Sequence, residues 1–143
     1  MGMVDVTEKP VVRRLAEAGG SIYLTADTIE KIRQGQIQKG DPFLVAEVAA
    51  MNASKQTHLL IPHCHQIPLD LVRVVFDVSE NSIEARCSVR THARTGVEME
   101  ALVGVTIALN TIWDMVKYLE KDENGQYPST RISDIRVISK EKG

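Results

Sequence analysis

The sequence has few cysteines and no excess of charge of either sign. Its two cysteines, Cys64 and Cys87, lie far apart and do not form the closely spaced pairs of a zinc motif. The 17 Lys and Arg residues are balanced by 19 Asp and Glu residues, so the formal net charge is -2. Such a chain has no overall positive field to attract nucleic acid or an anionic membrane. We therefore expect neither as a partner.

Internal repeats, low-complexity tracts and linker-like changes of composition are also missing. Nothing therefore marks a domain boundary, and 143 residues are enough to bury one hydrophobic core. The N-terminus carries neither a signal peptide nor an apolar run of spanning length. We expect one domain over residues 1–143, with an extended arm at 1–10 and a charged tail at 139–143, in a reducing cytoplasm.

The order of the predicted elements is that of an α+β protein. Thr25 and Asp41 are good N-caps for two of the helices. Alternating apolar residues predict an antiparallel hairpin whose apolar face holds Cys87 as a small buried hydrophobe. The elements are a strand at 11–24 bent at its glycines, helices at 26–34 and 43–55, hairpin strands at 72–78 and 83–89, a long helix from 95 towards 122, and a strand at 132–138.

The long helix contains ionisable residues within the longest apolar run of the chain. Thr95 and Glu98 have the spacing of a capping box, so the helix should begin at Thr95. Apolar residues on nearly every face predict that neighbours bury it on several sides. Asp114, Lys117 and Lys121 line one stripe, where the aspartate can pair with a lysine. This stripe is either a solvated helix end, which the spacing alone favours, or part of a site.

The second chemically suggestive stretch is a loop held between Pro62 and Pro68. It contains His63, Cys64 and His65, but no second pair of metal ligands follows, so a metal site has little support. His65 could donate to an anionic substrate or act as an acid or base near neutral pH. It could equally be a histidine that is hydrogen-bonded to loop backbone.

Lys39 lies just before the N-terminus of the second helix, where free amides and the helix dipole favour anions. It is either a phosphate contact or a solvent-facing lysine.

The two ends of the long helix raise a separate question. Glu98 and Glu100 lie about 21 Å from Asp114 and Lys117 along a regular helix. One chain therefore cannot bring both ends to one small ligand, and either the ends act separately or different subunits contribute them.

Four motifs resemble those of the MoaC family, the cyclic pyranopterin monophosphate synthases of molybdenum cofactor biosynthesis. The resemblance begins at residues 3–6 and spans nearly the whole chain, with the motifs in the order of the family. They are Lys39-Gly40-Asp41, Leu60-Ile61-Pro62 followed by Cys64-His65, Thr-Gly-Val-Glu-Met-Glu-Ala-Leu over residues 95–102, and Asp114-Met115 with Lys117.

The resemblance implies a lyase that needs no metal and no cofactor. Such an enzyme takes the cyclised dihydro-GTP made by a radical SAM partner, rearranges it to the pyranopterin, forms the cyclic phosphate and releases pyrophosphate. It also implies a ferredoxin-like fold, with an antiparallel sheet packed against helices. The family forms homohexamers, trimers of dimers, with active sites between subunits.

The matched motifs also imply roles for individual residues. Asp114, Lys117 and Lys39 become the catalytic residues, and the substrate-binding residues are His63, Cys64, His65, Glu98, Met99, Glu100 and Arg14. His63 and Gln66 depart from the family, which has an apolar residue and a proline there. Two alternatives stay open, a non-catalytic oligomeric module that binds a nucleotide or phosphate ester, and metal-dependent hydrolysis at His63 and His65.

Overall fold

The fold is built around one long helix that lies against an antiparallel sheet. A computed structural model describes all residues 1–143. The sheet has the strand order β2-β3-β1-β4, and every neighbouring pair is antiparallel. The predicted α+β class is confirmed, and the arrangement is consistent with a ferredoxin-like fold. The elements are β1 (Val12–Tyr23), α1 (Ala26–Arg33), α2 (Pro42–Lys55), α3 (Thr57–Leu60), β2 (Leu71–Val78), β3 (Ser82–Ala93), α4 (Glu98–Glu120) and β4 (Arg131–Lys142).

Helix α4 is buried between α2 and the sheet, as its apolar residues predict. Small residues allow this close packing. A Cβ at Gly104 would lie only 2.5 Å from Ser54 Oγ of α2 and 2.6 Å from Cys87 Sγ of β3. Ser54 donates a 2.9 Å hydrogen bond to the Glu100 carbonyl, which ties α2 to the first turn of α4. Cys87 is fully buried, as expected.

This burial also explains the apolar composition of α4. By length and composition the helix could cross a membrane, with a mean hydropathy of 1.3 in its most apolar window. However, 56% of that window is buried inside the fold. A core helix meets the same criteria of length and composition, and the packing identifies α4 as one.

The two predicted N-caps are confirmed. Thr25 Oγ1 accepts a hydrogen bond from the Thr28 amide, and α1 begins at the next residue, Ala26. Asp41 accepts from the Phe43 amide at 2.9 Å, with Pro42 at the first position of α2. These caps were predictable because each involves residues only a few positions apart.

The capping box predicted at the start of the long helix is wrong. Helix α4 begins at Glu98, and no side chain caps it. Glu98 Oε2 instead lies 3.4 Å from Lys140 Nζ of β4, an ion pair without hydrogen-bond geometry, and that oxygen has no hydrogen-bond partner. The tertiary contact with a distant strand has replaced the local one.

The predicted charged tail is also wrong, because β4 continues to Lys142. Lys140 pairs with Ala16 of β1, and Lys142 pairs with Arg14. A strand at the edge of a sheet bonds through its backbone, so the charged side chains stay exposed while the ladder continues. Just before the loop between Pro62 and Pro68, Leu59 and Leu60 belong to the short helix α3.

Candidate active site

Lys39, Asp114 and Lys117 form one cluster near the C-terminal end of α4. Lys117 Nζ lies 3.2 Å from Asp114 Oδ1, which confirms the predicted pairing along the helix. Lys39 reaches the same carboxylate from the loop between α1 and α2, with its Nζ 3.2 Å from Oδ2. It also donates a 2.9 Å hydrogen bond to the Asp114 carbonyl oxygen. The three residues expected to be catalytic are therefore in direct contact.

The cluster is exposed and carries a net positive charge. The hydrogen bond from Lys39, followed by that from Lys117, lowers the pKa of the Asp114 carboxyl below its usual value. The carboxylate is therefore ionised at neutral pH, with two ammonium groups around it. Within one chain the Asp114 side chain is 57% exposed. Two lysines beside one carboxylate suit an anionic ligand such as a phosphate group.

A groove runs beside this cluster and has an aromatic wall. The rings of Trp113 and Tyr127 meet edge to face, with their centroids 5.1 Å apart. Asp114, Lys117, Asn110 and Ile132 complete the lining. Tyr127 could not be predicted from the sequence, because it follows a turn and contacts α4 only in the folded protein. The groove therefore brings two aromatic rings beside the charged cluster.

A second cluster surrounds a pocket of about 300 Å³ at the other end of α4. It brings together six of the seven residues predicted to bind substrate. The N-terminal arm closes one side of this pocket, which the sequence did not reveal. The lining residues are Gly2, Val4, Val6, Lys9, His63, Cys64, His65, Ile67, Thr95, Gly96, Glu98, Met99 and Glu100.

The pocket contains both acidic and basic groups, namely Glu98 and Glu100 beside Lys9 and the two histidines of the loop. Burial raises the pKa of Glu100, which is only 4% exposed. Burial also raises the pKa of the Cys64 thiol, and the nearby charges of Glu100 and Glu98 raise it further. Cys64 is therefore a thiol at neutral pH and not a reactive thiolate. The carboxylates of Glu98 and Glu100 can accept hydrogen bonds from the N–H groups of a ligand.

His65 is hydrogen-bonded to the arm. Its Nε2 lies 2.7 Å from the Val4 carbonyl oxygen, which can only accept, so Nε2 carries the proton in this contact. The partner is therefore backbone of the arm and not of the loop that carries His65. Across the structure, no three His, Cys, Asp or Glu side chains lie close enough together to hold a metal ion.

Arg14 lies apart from both clusters. It is 7% exposed on β1, and its Nε donates a 3.4 Å hydrogen bond to the Ala93 carbonyl of β3. Arg14 lines neither the pocket nor the groove. Of the ten residues predicted for the site, Arg14 is the one that belongs to neither cluster within one chain.

The two clusters share no residue and occupy opposite ends of α4. Glu98 at the N-terminal end of α4 lines the pocket, whereas Asp114, 16 residues later, is the centre of the lysine cluster. At the regular rise of a helix this separation is about 24 Å. The structure thus keeps the two halves of the predicted site apart within one chain, as the helix length predicted.

The family model described as "MoaC family" matches residues 3–143. A protein of Methanosphaerula palustris named "Probable cyclic pyranopterin monophosphate synthase" is 57% identical, over 99% of this chain and 92% of its own length. One of Methanothermobacter thermautotrophicus, named as a probable accessory protein of that synthase, is 56% identical over 98% of this chain and 88% of its own length. A Sulfolobus acidocaldarius protein named as a probable synthase is 53% identical over 98% of both chains.

Proposed function

Because the chain belongs to the MoaC family, we propose that it is a cyclic pyranopterin monophosphate synthase of molybdenum cofactor biosynthesis. It converts 3',8-cyclo-7,8-dihydro-GTP to cyclic pyranopterin monophosphate and releases pyrophosphate, which makes it a lyase. The observation that carries this proposal is the match over nearly the full length, at more than half identity, to relatives named as this synthase. Neither a cofactor nor a metal is part of the proposal.

We assign the phosphate chemistry to the cluster of Lys39, Asp114 and Lys117. Forming the cyclic phosphate requires a substrate hydroxyl to attack the innermost phosphorus while the bond to pyrophosphate breaks. The two ammonium groups would bind the triphosphate and stabilise the charge that develops on the leaving pyrophosphate. The ionised Asp114 carboxylate orients both lysines and can accept a proton.

We assign recognition of the substrate's ring system to the pocket at the other end of α4. Its acidic groups, Glu98 and Glu100, would accept hydrogen bonds from ring and amine N–H groups, while His63, Cys64, His65 and Met99 line the contact surface. Arg14 remains a proposed substrate contact because the resemblance matches it to an N-terminal arginine of the family.

One site can use both clusters only if different subunits contribute them. The two ends of one α4 are too far apart for one small molecule, so we propose a homohexamer, a trimer of dimers, with active sites between subunits. We also propose that the enzyme acts in the cytoplasm, downstream of a radical SAM cyclase that makes its substrate.

The direct test is turnover with the cyclised dihydro-GTP. Purified protein should release pyrophosphate and form the pyranopterin in equal amounts, as followed by mass spectrometry. Lys39→Ala should lose this activity, whereas Lys121→Ala removes an exposed lysine outside the cluster and should leave it unchanged. Intact substrate binding without any product would refute the synthase and favour the non-catalytic binding module.

A further inference from the structure

We propose that Tyr118 is a positioning residue that holds Lys39 in place for the reaction, an inference that rests on the proposed function of Lys39. Two successive residues of the loop between α1 and α2, Gln38 and Lys39, each form a hydrogen bond with α4. The Gln38 amide donates a 2.8 Å hydrogen bond to Tyr118 Oη. The next residue, Lys39, donates to the Asp114 carbonyl and lies against its carboxylate.

The positions of the partners on α4 explain why the two contacts act together. Asp114 and Tyr118 are four residues apart and therefore lie one above the other on the same helix face. The loop thus lies along this face and is held at two adjacent points. If the Gln38 contact is lost, the backbone that carries Lys39 is no longer tied to the helix that carries Asp114 and Lys117.

Backbone hydrogen bonds shape the loop itself but do not tie it to α4: the Gln36 amide donates to the Lys31 carbonyl at 2.9 Å, and the Gly40 amide donates to the Ile37 carbonyl at 3.1 Å, which closes a turn around Gln38 and Lys39. Gly35 and Gly40 flank it with φ values of 68° and 114°, which favour glycine, so both ends can bend where other residues would be strained. Inside the loop the Ile37 side chain is 7% exposed and anchors it to the core. The Lys39 side chain is long and half-exposed, so its ammonium group depends on a fixed backbone to stay near Asp114.

Packing alone does not account for a tyrosine at this position. Tyr118 is 40% exposed, so much of its ring makes no contact with the core. Its hydroxyl, in contrast, has a defined acceptor role at the Gln38 amide. Tyr118→Phe therefore removes the proposed function of the side chain and keeps its shape.

The test compares Tyr118→Phe with Tyr23→Phe in the full-length protein. Tyr23 carries a hydroxyl whose only contact is a long, 3.5 Å one to Asp134, so it is a matched control. A single hydrogen bond shifts an equilibrium by about 2- to 13-fold. In Tyr118→Phe, hydrogen exchange at the Gln38 amide should accelerate within this range. Acylation of Lys39 should accelerate similarly, relative to Lys121 in the same molecule.

Turnover links this position to the reaction. The kcat of Tyr118→Phe should fall by a similar factor, and KM should rise because Lys39 also binds the triphosphate, whereas Tyr23→Phe should behave as the wild type. In a Lys39→Ala background, Tyr118→Phe should cause no further loss of substrate affinity or residual rate, because its effect passes through Lys39. A purely structural role would add a further loss there.

Each contrary result has a distinct meaning. Unchanged exchange at Gln38 and unchanged acylation of Lys39 in Tyr118→Phe would overturn the positioning role. Faster exchange with an unchanged kcat would overturn its link to catalysis. If the wild type has no turnover, the proposed function fails, but exchange and acylation still decide whether Tyr118 holds the loop.

Discussion

Removal of the Glu120 carboxylate should destabilise the protein more than removal of any exposed carboxylate. Glu120 is 6% exposed at the end of α4. Its oxygens accept hydrogen bonds from the Thr25 amide at 3.2 Å, from Thr25 Oγ1 at 2.9 Å, from Thr130 Oγ1 at 2.7 Å and from the Thr28 hydroxyl. One side chain therefore joins the end of α4 to the start of α1 and to the residue before β4.

The expected cost can be worked out from these partners. Glu120→Ala leaves the Thr25 amide without a side-chain acceptor, and an unsatisfied buried group costs about 1–3 kcal/mol. The hydrogen bonds of the three threonine hydroxyls, each worth about 0.5–1.5 kcal/mol, are lost as well, although the hydroxyls can rotate towards weaker partners. Because such contributions are not additive, we expect a loss of about 3–5 kcal/mol in the free energy of unfolding.

Urea denaturation measures this loss. With a slope of about 2 kcal/mol per molar urea, the midpoint should fall by about 1.5–2.5 M in Glu120→Ala. Glu120→Gln keeps the size and one acceptor oxygen, so its midpoint should lie between those of Glu120→Ala and the wild type. Glu123→Ala removes an exposed carboxylate three residues away and serves as the control. An average substitution costs about 1 kcal/mol. A loss below that value in Glu120→Ala would therefore refute a special role for the buried carboxylate.

Three further predictions concern the ionisable groups of the site and the core. Asp114→Asn and Lys117→Ala should each lose turnover while circular dichroism shows an intact fold, and a near-normal rate in either variant would remove that residue from the mechanism. Burial raises the pKa of Cys87 to about 11, so iodoacetamide at pH 8 should leave it unmodified in the folded protein and alkylate it after denaturation, as read by mass spectrometry. Because burial raises the pKa of Glu100 in the folded state, its ionisation lowers stability as the pH rises above the unfolded value of about 4.5. Glu100→Gln should therefore raise the melting temperature relative to the wild type at pH 7 and lose this advantage at pH 4, and an advantage that does not depend on pH would contradict the assignment.

The elements that the sequence predicted well are those with short-range signals. Thr25 and Asp41 cap helices through amides two or three residues away, and the alternation of β2 and β3 follows from the pleat of a strand. The capping box failed because Glu98 is drawn to Lys140, 42 positions further along the chain. The end of β4 was missed because backbone pairing at a sheet edge needs no apolar alternation.

The contacts of the candidate site also fall into those that local spacing predicts and those that only the fold produces. The contact of Asp114 with Lys117 follows from helical spacing, and the sequence alone predicted it. Spacing did not predict that Lys39 meets the same carboxylate, and only the family resemblance grouped the three residues. The contact between His65 and the Val4 carbonyl of the arm could not be predicted from the sequence. The arm has no hydrophobic periodicity that would indicate which part of the fold it packs against.

By itself, the sequence determined the family, the α+β class, the buried long helix and the separation of its two charged ends. These follow from motif order, from caps and periodicities that act over a few residues, and from the fixed rise of a helix. Only the tertiary structure decided that Lys39 docks on α4 beside Tyr118 and that Glu98 pairs with β4. Such contacts depend on how distant segments pack against each other, and no local pattern of residues encodes that geometry.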